Sequence, residues 1–258
     1  MTDFADAAFG EHPGRWPLPA ATTPTDLWLR AVAAGGQGRY GAAFADLDEL
    51  GRTHPRGALA SLAYGTRASF LRQLGGHRVA RGWDGRAWAA AGSDADVGTD
   101  ALVGLAADAL GVGRFALARR LLLRAGELLG GGGGRLPIRL AWVGAELSMF
   151  TGDGAAAVGH ARHAVDLASD FGSARHDTKS RVVLAAALCA VGDLAASRDV
   201  GDDALARAQG LGLTPLSWAV ACLLADIGSA VHSPSQIAAV RDASSDLVRH
   251  RGGAWTAR

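Results

Sequence analysis

The chain has 258 residues, 49% hydrophobic, 20% charged and 6% aromatic, which excludes a chain disordered throughout. Twenty-six basic residues against 25 acidic leave a net charge of +1, so the strong electrostatic case for nucleic acid or an acidic membrane is missing. Two cysteines, Cys189 and Cys222, are too few for a disulfide scaffold or a four-cysteine zinc site.

Alanine and glycine dominate, and Lys179 is the one lysine among the basic residues. That bias is the mark of a high-GC, actinobacterial-type coding sequence, so the abundance of arginine carries no functional weight. Residues 1–10 hold Asp3 and Asp6 and no basic residue, unlike a secretory leader. The best uncharged candidate for a span, 182–192, is too short to cross a bilayer. A cytoplasmic chain without membrane contact is expected.

Residues 1–24 carry Pro13, Pro17, Pro19 and Pro24 and predict an extended N-terminal segment. Its Trp16 and Leu18 form an apolar cluster able to fold back into a groove. From Asp26 onward the residues favour helix, and no stretch sustains a period of two. Glycines recur at 38, 75, 113, 152 and 192, each between two helical patterns. Small residues are locked to them. Five residues after each stand Ala43, Ala80, Ala118, Ala157 and Ser197, and seven before stand Ala31, Ala68, Ala106, Ala145 and Ala185. Twelve after stand Leu50, Ala87, Ala125, Ala164 and Ala204. Small residues at such positions let two antiparallel helices approach closely.

The spacing predicts helix pairs at 26–34/39–51, 57–73/77–91, 98–110/114–129, 136–150/154–170, 177–190/194–209 and 215–228/235–250. The repeat domain spans 25–251, and 252–258 is expected to fray. The five glycines 130–134 read as a turn between pairs three and four.

This pattern resembles the tetratricopeptide repeat. That family has a small residue late in its first helix, a glycine at the turn, an aromatic two residues on, and alanines five and twelve after the glycine. Tyr40 and Phe115 match the aromatic position; His77, Gly154 and Leu194 depart from it. The period here, about 37–41 residues, exceeds the family's 34. The resemblance implies an all-α, right-handed solenoid of about six antiparallel hairpins, with the first helix of each pair on the concave side.

Carried over by offset, the family's ligand-facing positions are Trp28, Arg72, Gln73, Asp100, Arg139, Trp142, Glu146 and Lys179. Arg139 and Lys179 share one offset and would meet an acidic side chain or terminal carboxylate. Trp28 and Trp142 share another and would either anchor a partner or pack between repeats. The family's carboxylate clamp is not reproduced, because its asparagines are missing.

Other chemistry is poorly supported. Gly111–Ala116 matches a dinucleotide-binding pattern but follows a helix rather than a strand. His160, His163 and Asp166 share a helix face without a metalloprotease pattern. Both cysteines sit in apolar helices. The expectation is a non-catalytic module without cofactor or metal that binds a peptide or helix of a protein partner. Two alternatives stay open. One is a transcriptional or signalling regulator acting through a partner such as RNA polymerase or a DNA-binding protein. The other is an enzyme or small-molecule binder with an unfamiliar site.

Overall fold

A computed structural model describes residues 2–256, and these form thirteen α-helices and no strand. A short helix, α1 (Asp3–Phe9), precedes six antiparallel hairpins. The pairs are α2 (Pro24–Gly36) with α3 (Tyr40–Thr53), α4 (Ala58–Gln73) with α5 (His77–Ala91), and α6 (Ala95–Gly111) with α7 (Phe115–Leu129). Then follow α8 (Arg135–Phe150) with α9 (Gly154–Phe171), α10 (Ala174–Ala190) with α11 (Leu194–Gly210), and α12 (Thr214–Ile227) with α13 (Pro234–His250). Each predicted pair is present.

The five anchor glycines all have positive φ, from 74° at Gly38 to 86° at Gly75. A side chain resists that conformation, which explains why glycine recurs there. In each turn the amide after the glycine reaches back to a carbonyl in the last turn of the first helix, as Arg39 N–H does to that of Ala34 (2.8 Å) and Asp153 N–H to that of Ser148 (2.9 Å). These are Schellman closures, which satisfy carbonyls left over at the helix end. The three columns, small at every position but Leu50, are all at most 1% exposed. They lie where each hairpin crosses itself, and a larger side chain there would push the helices apart.

The N-terminal segment differs from its expected extended form. Thr2 caps α1 by accepting from the Ala5 amide, Asp3 and Asp6 occupy the first turn, and Phe4, Ala7 and Ala8 are buried. The helix-breaking prolines begin only at Pro13, so residues 3–9 are free to coil. Residues 11–22 then run over the body, held where Gln37 Nε2 donates to the carbonyls of Pro13 (2.9 Å) and Arg15 (3.1 Å). The tail also differs from its expected fraying. Trp255 lies against Trp218 with ring centroids 4.2 Å apart, and Thr256 N–H donates to the Leu74 carbonyl at 2.8 Å. Residues 257–258 lie outside the described residues.

These contacts close the solenoid on itself. Gly41 N–H donates to the Arg251 carbonyl (2.9 Å), and Arg251 Nη1 donates to the Gln37 carbonyl (2.7 Å). Val248 of α13 is buried in one cluster with Tyr40, Leu47 and Phe70. On the other side, Ala174 N–H donates to the Gly10 carbonyl (3.1 Å), and Arg175 Nη1 to that of Val32 (3.2 Å). The first hairpin therefore touches the fifth and sixth, whereas repeats of an open solenoid touch only their neighbours. Closure turns the concave surface into the wall of a cavity.

Candidate functional site

The first helices of the six hairpins, α2, α4, α6, α8, α10 and α12, surround one cavity of about 640 Å3. Because every second helix runs back, these six point the same way. The N-terminal ends of α6, α8 and α10 gather on one side with Phe9 of α1, where Asp100 and His176 are buried. This side is the floor. At the opposite ends lie Gly111, Met149 and Phe150, and Phe150 is 66% exposed. This side is the mouth. Across the seam the superhelical rise sets the N-terminal ends of α10 and α12 against the C-terminal end of α2, as Arg175 lies beside Gly36 and Pro215 beside Gly38.

All eight residues picked out by offset line the cavity. Trp28 and Trp142 pack between repeats. Trp28 Nε1 donates to Thr66 Oγ1 (2.9 Å) and Trp142 Nε1 to Ser180 Oγ (2.8 Å), each stitching one hairpin to the next. Their rings still face the cavity. Gln73 Oε1 accepts from the Tyr40 hydroxyl at 2.8 Å. Asp100 receives both Arg135 (2.6 Å) and Arg139. Lys179 Nζ sits 4.2 Å from the Trp142 ring centre.

The offsets missed Phe9, Arg135, Arg175, His176 and Trp218, which also line the wall. Arg135 and Arg175 stand one helical turn before Arg139 and Lys179, so extending that column by four residues would have found them. Phe9 and Trp218 carry no such signal. Trp16 and Leu18 are not among the lining residues; Trp16 instead lies under the Arg39 guanidinium, 4.8 Å away. The N-terminal segment reaches the cavity through Phe9, whose ring meets Trp28 at 5.6 Å and the Arg135 and Arg175 guanidinium groups at 5.8 and 5.7 Å.

Burial shapes the titration of these groups. It pulls Arg135, Arg139 and Arg175 down to about 10; for Arg139 and Arg175 neighbouring guanidinium groups add to the effect. It pulls Lys179 down to about 8, against the attraction of Glu146. Glu146 is pushed up by burial, opposed by Lys179 and Arg72. His176 stacks on Trp142 at 5.4 Å and shares a 2.9 Å hydrogen bond with Ser173. Burial and the surrounding cations hold it well below its usual range, hence neutral.

Arg72 belongs both to the wall and to a buried cluster behind it. It pairs with Asp84 and, at 3.1 Å, with Asp108. The approach depends on Gly104, where a Cβ would lie 2.5 Å from the Asp84 carboxylate. One guanidinium thus serves two carboxylates. Burial, helped by the neighbouring Asp84 charge, pushes Asp108 up to about 7 despite Arg72. Replacing Asp108 with an amide leaves a one-to-one pair, so Asp108→Asn should cost less than ~1 kcal/mol at pH 8, and any deficit against the parent should be smaller there than at pH 5. Urea melts at the two pH values check this; a deficit of Asp108→Asn that grows with pH would contradict it.

No family model and no curated protein matches the sequence. Among solved structures, the chain is similar to the "Crystal Structure of Rap Protein Complexed with Competence and Sporulation Factor". That match has a TM-score of 0.65 and 11% identity, over 89% of this chain and 68% of the other. A second, the APC/C hetero-tetramer Cut9-Hcn1, gives a TM-score of 0.45 and 16% identity over 90% of this chain and 49% of the other. The likeness to the first is one of fold: the chain is a right-handed, tetratricopeptide-like helical solenoid.

Proposed function

We propose that the chain is a non-catalytic interaction module that takes the acidic end of a peptide or protein partner into its closed groove. One observation carries the reading. Every first helix delivers side chains to a single cavity whose floor is cationic and whose walls are aromatic. Arginine forks suit carboxylates, and tryptophan supplies anchoring area at little entropic cost. The neighbouring fold was solved in complex with Competence and Sporulation Factor, which adds support for a solenoid of this shape as a receptor.

The cavity's size narrows the occupant. One turn of α-helix, about 10–12 Å across and 5.4 Å tall, fills roughly 400–600 Å3. A cavity of about 640 Å3 therefore suits the end of a chain rather than a helix laid along it. That volume also falls in the range of small-molecule sites, which favours a small anionic ligand as the second reading. In either case the module would signal through partners rather than by chemistry.

Affinity purification from the source cell identifies the partner, and the same partner is then titrated against Arg139→Glu and Lys179→Glu. Each reversal should weaken binding at least ~10-fold, about 1.4 kcal/mol. Unchanged affinity in both folded variants would remove the groove from the interaction.

A further inference from the structure

The charges on the cavity floor do not balance. Arg135, Arg139, Arg175 and Lys179 face only two carboxylates, Asp100 and Glu146, which leaves two positive charges over. Asp100 is taken by both Arg135 and Arg139. Arg175 has no carboxylate partner: its guanidinium donates to the Val32 carbonyl and lies over the Phe9 ring. Lys179 rests on Trp142. Asp96, which attracts Arg135, is exposed outside the cavity. Arg72 adds nothing to the excess, since Asp84 and Asp108 hold it behind the wall. The second carboxylate there, with Asp108 pushed up to about 7 by burial, offsets only part of the excess.

Half-buried cations without anions are costly, and a fold that gathers them gains when an anion joins them. Here the cations also disfavour one another's charge: Arg175 is opposed by Arg135 and Arg139, and Lys179 by Arg139, Arg72 and Arg175. Above this floor the walls turn apolar toward the mouth, through Val143, Leu110, Val183 and Met149.

We infer that the floor binds a compact dianionic head group of the phosphomonoester class, carried on an apolar or aromatic body that fills the upper cavity. A phosphomonoester carries about −1.5 to −2 charge at neutral pH and three acceptor oxygens, matching two surplus charges and arginine forks. The body would lie against Leu110, Val143, Val183 and Met149, since the Trp142 ring is already covered by Lys179 and His176. This rests on the groove reading above but is narrower, since an acidic peptide end carrying a single charge would leave one cation unanswered.

The probes are phenyl phosphate and benzoate, which share a ring and differ in charge. Both are titrated into the full chain at pH 7.5 by calorimetry and tryptophan fluorescence. Phenyl phosphate should bind at least ~10-fold more tightly than benzoate, and Arg175→Gln should weaken it at least ~10-fold. Should Arg175→Gln fail to fold, Lys179→Met carries the same expectation. The surface control Arg241→Gln should leave binding unchanged. A phosphotyrosyl tripeptide that outcompetes phenyl phosphate would assign the head group to a peptide, and the reverse order to a free metabolite. Benzoate binding as tightly as phenyl phosphate, no saturation by phenyl phosphate up to ~10 mM, or indifference to both floor variants would overturn the inference. A captured protein partner that Arg139→Glu releases would, in that event, leave the groove reading standing without the dianion.

Discussion

Arg72→Met should destabilise the protein by about 3–5 kcal/mol at pH 7.5. The methionine keeps the apolar stem and removes the charge. What remains is Asp84 and Asp108, 1% and 0% exposed, with no guanidinium paired to them; Arg139 attracts Asp84 without an ion pair. Each already has one oxygen without a hydrogen-bond partner, Asp84 Oδ1 and Asp108 Oδ2, and His77 Nδ1 nearby is also unsatisfied. The nearby group able to donate is His77 Nδ1, 4.0 Å from Asp108 Oδ1, and it can answer one carboxylate at most. The cost comes from stranding two buried carboxylates, not from the pair having been strongly stabilising.

The pH dependence separates this cause from lost packing. Asp108 is raised to about 7 in the fold, from an ordinary value of 3.8. A raised carboxyl keeps a proton that the unfolded chain has released. Its contribution is full below about pH 4, is lost as pH rises toward 7, and is constant above. Removing Arg72 raises both carboxyls further and extends the loss to higher pH. The deficit of Arg72→Met should therefore shrink by roughly 2 kcal/mol between pH 8 and pH 5. Denaturant melts across that range would measure it. A deficit independent of pH would assign the effect to packing and reject the charge account.

Much of the fold is legible in the sequence because its determinants are local. A positive-φ glycine, a Schellman backbone closure and small residues at fixed offsets are properties of a single hairpin, and they recur with it. The wall of the cavity is legible for the same reason, since a residue's offset within a hairpin fixes the face it presents. The closing contacts are of another kind. Gly41 and Arg251 are joined from opposite ends of the chain, and neither residue has a local pattern announcing the other. The same holds for Phe9 against Arg175 and for Trp255 against Trp218. Helix α1 did leave a signal, a Thr2 cap with Asp3 and Asp6 in the first turn, but the prolines that follow mask it. Arg135 and Arg175 lie within reach of the same offsets, one helical turn before Arg139 and Lys179, but arginine is so common in this chain that neither stands out on its own.

Val248→Asp tests whether closure, rather than the repeats alone, makes the cavity. In an open solenoid the outer face of the last helix meets solvent, and an aspartate there would cost little, within about 0.5 kcal/mol. Here Val248 is fully buried between α13 and the first hairpin, in contact with the cluster of Tyr40, Ala43 and Leu50. Its Cγ2 approaches Gly38 closely enough that a Cβ there would lie 3.3 Å away. A carboxylate at this place loses the valine's burial, about 1.5–3 kcal/mol, and must be desolvated or protonated as well. The expected cost is about 3–5 kcal/mol, the same scale as Arg72→Met but arising at the seam rather than in the wall. The protein's cheapest escape is to part the seam, letting α13 and Trp255 leave the first hairpin. Trp218 lines the cavity and stacks on Trp255, so parting the seam also disturbs the wall. Small-angle scattering should then show a larger radius of gyration while the helical circular dichroism is largely kept. Leu247, one residue earlier and 36% exposed, supplies the control: Leu247→Asp should cost less than about 0.5 kcal/mol and leave the radius unchanged. Equal effects at the two positions would mean that the seam contributes nothing special, and that the groove is open in solution.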